Sequence, residues 1–145
     1  MSKVEDFLSV QEEQEIVSAI RQAELNTSGE IRVHIEKSTT LSHYDRALEV
    51  FSTLKMYNTK QENAVLIYVA VEDHKFVVYG DKGIDTVVPK NFWDITKNTM
   101  QEQFKKGNFK QGIIEGVLKA GEELKEHFPW QTGDEDELSN EISKG

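Results

Sequence analysis

The sequence predicts an α/β sandwich, with helices on both faces of a small mixed sheet. Three observations predict it. Apolar residues alternate strictly over 30–36, a continuous apolar run fills 64–71, and the flanking segments repeat apolar residues at three- and four-residue spacing. At 145 residues the chain has room for one core of this kind and little more.

Each element has a local cause. Ser9 followed by Glu12 is a capping-box pair, and the stripe Val10, Ile16, Val17, Ile20 and Ala23 carries a helix over 10–24. A turn over 25–29 leads to a first strand at 30–36, with Ile31, Val33 and Ile35 on one face, the period of a half-buried strand. Ser42 opens a second helix through Tyr44, Ala47, Leu48, Phe51 and Leu54. The polar loop 57–63 precedes the central strand 64–71, whose unbroken apolar character suits a strand covered on both sides. A short turn at 72–74 and the strand 75–79 complete a hairpin, which Gly80-Asp81-Lys82-Gly83 ends sharply. Two helices follow, one from near Pro89 through Phe92, Trp93, Ile95, Met100 and Phe104, the other from Asn108 through Leu124. Gly107 stops the first of these, and Pro129 ends the second. The domain is therefore read as 1–129. The segment 130–145 carries Asp134, Glu135, Asp136, Glu137 and Glu141 against Lys144, with few large apolar groups, and reads as a mobile acidic tail.

Composition excludes several functions. Lys and Arg total 17 against 26 Asp and Glu, a formal net charge of -9, which argues against nucleic acid and anionic membrane as partners. No cysteine is present, so disulfides, thiolate nucleophiles and Cys-ligated zinc are ruled out. His34, His43, His74 and His127 have no ligand spacing, and His34 reads as a neutral group beneath a helix. No Gly-x-Ser-x-Gly elbow supports a hydrolase triad. No apolar stretch is long enough to span a bilayer, and the acids near Met1 do not suit a signal peptide, so the expectation is a cytoplasmic chain.

Topology gathers the acids. A strand, a helix and a strand form a right-handed crossover, so the strands at 30–36 and 64–71 are predicted parallel, with the hairpin strand running back. The starts of the first two and the end of the third then meet at one edge. That edge collects Glu30, Asn63, Asp81 and Asp85 as candidate metal ligands, with Glu62, Lys82 and Asp94 beside them. Carboxylate and amide oxygens are the hard ligands that Ca²⁺ and Mg²⁺ take. Crowded acids without a cation would disfavour joint ionisation. Acids at strand ends are also ordinarily just solvated, and the spacing Asp81-Lys-Gly-Ile-Asp85 is neither an EF-hand loop nor a phosphotransfer motif.

Taken in order, these pieces resemble the TPM domain family. The similarity spans 8–128. It is carried by Gly29-Glu30-Ile31, by Glu62-Asn63 before the apolar strand, by Gly80-Asp81-Lys82-Gly83-Ile84, and by Phe104 through Gly107 and Asn108. The resemblance implies a Rossmann-like three-layer α/β/α sandwich, divalent-cation binding in a cleft of acids, and the acid-phosphatase activity of some plant members. Phosphomonoester hydrolysis needs an activated nucleophile and charge neutralisation at the phosphoryl oxygens. Lys82 is the one base in the site loop, with Lys60 and Lys90 at the rim, so a phosphatase here is expected to be weak and metal-assisted. The alternative is a non-catalytic module whose recognition of a protein partner is regulated by the cation.

Overall fold

The computed structural model describes residues 8–130 and 141–144. Helix α1 (Val10–Glu24) begins with the capping box, Ser9 Oγ accepting from the Glu12 N–H at 3.1 Å and Glu12 Oε1 accepting from the Ser9 N–H at 3.0 Å. Strand β1 (Glu30–Glu36), helix α2 (His43–Thr53) and strand β2 (Ala64–Ala70) form the crossover, with Ser42 Oγ capping α2 through the Asp45 N–H at 3.1 Å. Strand β3 (Lys75–Gly80) closes the hairpin. Then come α3 (Lys82–Asp85), α4 (Asp94–Lys105), α5 (Phe109–Lys125) and a two-residue strand β4 (Ser143–Lys144).

The sheet order is β3-β2-β1-β4. β1 pairs parallel with β2, Glu30 opposite Ala64, and β3 pairs antiparallel with β2, Gly80 opposite Val65. Side chains alternate across a strand, so two cores result. On one face Ile31, Val33, Ile35, Val65, Ile67 and Val69 pack with α1, α4 and α5; on the other Ala64, Leu66, Tyr68 and Ala70 pack with Ala47, Val50 and Phe51 of α2. This is the α/β sandwich that the periodicities predict.

Four local expectations change. The strand expected to be half-buried is covered on both faces: Glu30, His34 and Glu36 are all buried, and Arg46 of α2 reaches over Glu36. Glu36 accepts from Arg46 Nη2 at 2.8 Å and from the Tyr68 hydroxyl, and His34 lies 2.9 Å from Glu36. The helix expected from Pro89 starts at Asp94 instead, since the Phe92 N–H bonds to Pro89 O at 3.1 Å and the Asp94 N–H to Asn91 O at 3.1 Å, both tight turns. The segment after Gly80 coils into α3 rather than remaining a loop. Much of the predicted acidic tail lies outside the described residues; of the rest, Ser143 and Lys144 pair with His34 and Ile35 of β1, and Ile142 packs on the core. Gly107 ends α4 at φ +82°, where a side chain is strained.

Candidate functional site

The sheet register aligns Glu30 of β1, Ala64 of β2 and the residue following β3. The Asp81 N–H bonds to Ala64 O at 2.9 Å, so the ladder continues one residue beyond Gly80 and sets Asp81 on the face of Ala64 and Glu30. Ala64, with its small side chain, lies between Glu30 and Asp81 in this row.

Asp81 is also the N-cap of α3. Its Oδ1 accepts from the Lys82 N–H at 2.8 Å, which fixes the carboxylate and leaves Oδ2 buried without a hydrogen-bond partner. Asn63 is held in two ways. Its backbone N–H donates to Thr59 Oγ1 at 3.3 Å and its side-chain Nδ2 to Ser28 Oγ at 3.4 Å, while Oδ1 is likewise buried and unpartnered. Asn63 is 1% exposed and Asp81 6%. Burial raises the Asp81 carboxyl; the Lys82 N–H opposes this, and the charges of Glu62 and Asp85 add to it.

The turn that brings Asn63 and Asp81 together depends on Gly83. Its N–H bonds to Glu62 O at 2.9 Å, and a Cβ at this position would collide with the carbonyl oxygens of Gln61 and Glu62. Glu62 itself takes a left-handed φ of 51° to present that carbonyl. Trp93 supports the same region from the other core: it is buried with the indole against Gly80, a wall of the core rather than of an open cleft.

The remaining predicted residues are placed differently. Glu30 is buried at the start of β1. Asp85 is exposed at the end of α3, near enough to Asp81 to act on it through its charge. Lys82 reaches Glu62 at 2.9 Å, an exposed ion pair rather than a cation aimed into the site. Asp94 is exposed in the first turn of α4 and makes no side-chain bond to Asn63 or Asp81, so the fold does not bring it in. Among the described residues, no three Asp, Glu or His side chains are grouped so that they could hold a metal ion. The backbone links Asp81 N–Ala64 O and Gly83 N–Glu62 O bring the chain at Asn63 and at Asp81 to the same sheet edge, and Glu30 lies in the row of Ala64 and Asp81. The hydroxyls of Ser28 and Thr59, which hold Asn63, went unnoticed in the sequence.

A second polar group centres on Glu36, whose partners the sequence did not suggest. His34 Nε2 faces Glu36 and its Nδ1 lies 2.9 Å from Ser143 Oγ, while its ring stacks on Tyr68 at 5.8 Å between centroids. Burial lowers the His34 pKa despite Glu36, so the ring is neutral as expected. Burial alone would push Glu36 up, but hydrogen bonds from Arg46, Tyr68 and His34 overcome it and hold the carboxyl at about 2. This network ties β1, β2, α2 and β4 together.

Helices on both faces of a mixed sheet, with an Asn and an Asp held at the edge where three strands meet, define a three-layer α/β domain with an oxygen-lined strand junction. The TPM domain model matches residues 1–123, and the chain belongs to that family. It is similar over the whole length of both chains to the BA42 protein from the psychrophilic bacterium Bizionia argentinensis, at 61% identity and a TM-score of 0.93. Two further solved structures share the fold. The N-terminal domain of a protein from P. gingivalis is 22% identical, with a TM-score of 0.68, covering 83% of this chain and 78% of that one. The N-terminal domain of the cg2496 protein from Corynebacterium glutamicum is 10% identical, with a TM-score of 0.64, covering 91% and 81%. No curated protein matches the sequence. Among the described residues, no helix is long and apolar enough to cross a membrane.

Proposed function

We propose that this TPM domain binds a divalent cation, Ca²⁺ or Mg²⁺, at the junction of β1, β2 and β3. The observation that carries it is the pair of buried, unpartnered acceptor oxygens, Asn63 Oδ1 and Asp81 Oδ2. A buried acceptor left unmatched costs roughly 1–3 kcal/mol, so a fold that keeps two at one junction has a use for them. A hard cation satisfies both. Mg²⁺ in particular is commonly held by one or two carboxylates with water filling the other positions, so a compact donor set suffices. Glu30, in the same row, and Asp85, across one helical turn, supply further negative charge. The raised Asp81 carboxyl makes binding compete with a proton, so affinity falls as the pH drops through that residue's titration.

The reading favours binding over catalysis. The base nearest the site, Lys82, is engaged with Glu62 in solvent, which leaves little to attract a phosphoester. A cation-regulated surface for a protein partner is the form of function most consistent with this chemistry; phosphomonoesterase activity is the weaker alternative.

Titration of ¹⁵N-labelled protein with CaCl₂ and MgCl₂ tests the site, with Asp81→Asn in parallel and an aryl phosphate assay alongside. Saturable shifts centred on Asn63 and Asp81, absent in the variant, are expected. At a hundredfold excess over Kd, stability should rise by about 2.7 kcal/mol. Flat titrations up to about 10 mM, beyond the weak end of protein Ca²⁺ sites, would sink the proposal. Cation-dependent turnover lost in Asp81→Asn would restore the phosphatase.

A further inference from the structure

The second feature lies along the outer edge of β3. Because the Asp81 N–H bonds to Ala64 O, Val65 and Gly80 form a non-hydrogen-bonded pair of the antiparallel ladder. By alternation, the backbone groups of Phe76 and Val78 point away from β2. Neither residue has a hydrogen bond in that direction to any described residue, and β3 ends the sheet on this side. The opposite edge is different, since β4 covers part of β1.

A groove of about 790 Å³ runs across this open edge, from Tyr44 of α2 on one side to α4 on the other. Its floor is apolar, with Phe76 against Phe104 edge to face at 5.3 Å between ring centroids. Its charges have one sign. Lys75, Lys97 and Lys105 line it, no Asp or Glu does, and none of the three lysines is ion-paired with a described residue. In a chain of net charge -9 this is the wrong sign to arise from overall composition.

We infer that the β3 edge is a docking site for an extended acidic segment of another protein, which adds to the sheet as a fifth strand. Main-chain groups of Phe76 and Val78 would supply affinity, the apolar floor would take alternate side chains, and the lysines would select carboxylates on the others. Charge decides the occupant. A second copy pairing through the same edge would bring Lys75, Lys97 and Lys105 of both chains together, and lysines on an edge are a common guard against that pairing. A carboxylate-bearing strand turns the same repulsion into attraction. The site is separate from the cation junction, so chelator should leave it intact.

The probe is a short blocked peptide alternating Glu and Val, titrated into the full chain. The Phe76 and Val78 amides are expected to shift and to exchange more slowly, and binding should weaken with added salt. Replacing Glu by Lys in the peptide should abolish binding. Methylating alternate backbone nitrogens of the peptide should do the same, with no change to the protein. Lys97→Glu with Lys105→Glu, both exposed, should weaken binding at least tenfold. Equal binding of the Lys peptide, no effect of N-methylation, or no shift at Phe76 and Val78 at about 1 mM peptide, far above the Kd of a useful docking site, would overturn the inference. So would edge-to-edge dimers in sedimentation of the free protein.

Discussion

At the scale of single residues, the buried polar groups set how stability responds to pH. Glu36 titrates near 2 in the folded chain against an ordinary 4.5, so its ionised form stabilises the fold at neutral pH, and that contribution is lost as the pH falls through this window. His34 acts in the same direction earlier. Its pKa is lowered from 6.5, so below that pH the unfolded chain takes up a proton that the folded chain resists. Asp81 acts in the opposite direction, because a raised carboxyl makes its ionisation unfavourable to the fold once the pH climbs above 3.8. Denaturant midpoints measured across pH should therefore decline from about 6.5 downward, steepening below 4.5. His34→Gln should flatten the upper part alone. Glu36→Gln should cost about 3 kcal/mol at neutral pH, because it leaves Arg46 and the Tyr68 hydroxyl without their carboxylate in a buried setting. A flat profile above pH 4.5 would contradict the neutral, resisting His34.

At the scale of elements, α1 and α5 cross at a contact that only small residues permit. A Cβ on Gly121 would sit 2.7 Å from Ala23 Cβ and 3.1 Å from that residue's backbone, neither of which can rotate away. In an exposed helix, replacing Gly by Ala gains about 1 kcal/mol of propensity. Here the overpacking, typically 1–3 kcal/mol, should win. Gly121→Ala is thus expected to lower stability by roughly 1 kcal/mol, read by denaturant melts; a more stable variant would mean the helices separate freely. The helices and strands were legible for a reason of the same kind. The capping box at Ser9 and the period-two run of Ile31, Val33 and Ile35 are local signals, and locally encoded elements survive packing. What failed was the half-buried reading of β1, since Glu30 and Glu36 are covered along with His34. Alternating polar residues on a strand look the same whether water or a helix covers them, and the groups that match them, Arg46, Tyr68 and Ser143, sit on three other elements. The strand junction was legible because parallel topology alone brings the starts of β1 and β2 together. The start of α4 was misplaced because it depends on a turn at 89–93 that no periodicity reports.

At the scale of the whole molecule, the sheet treats its two edges differently. Part of the β1 edge is covered by β4, where Lys144 also reaches Glu13 of α1 at 2.7 Å and Ser143 meets the His34 ring. Since Glu36 is ionised and can only accept, the His34 Nε2–H donates to it, and Nδ1 is left to accept the Ser143 hydroxyl proton. Thus β4 completes a chain of hydrogen bonds reaching to α2. A chain ending before Glu141 should lose this bond, the short ladder and the Lys144 pair together, a fall of about 2 kcal/mol by ordinary hydrogen-bond and surface ion-pair values. It should also expose His34 and Ile35 on a second open strand. That edge carries no row of lysines to repel a copy of itself, so the shortened chain is expected to self-associate in sedimentation more than the full chain does. Lys144→Ala separates the causes. It removes an ion pair but leaves the strand, and should cost at most about 1 kcal/mol with no change in association. If the shortened chain kept both its midpoint and its monomeric state, β4 would be an incidental contact, and the difference between the two edges would carry no meaning for the fold.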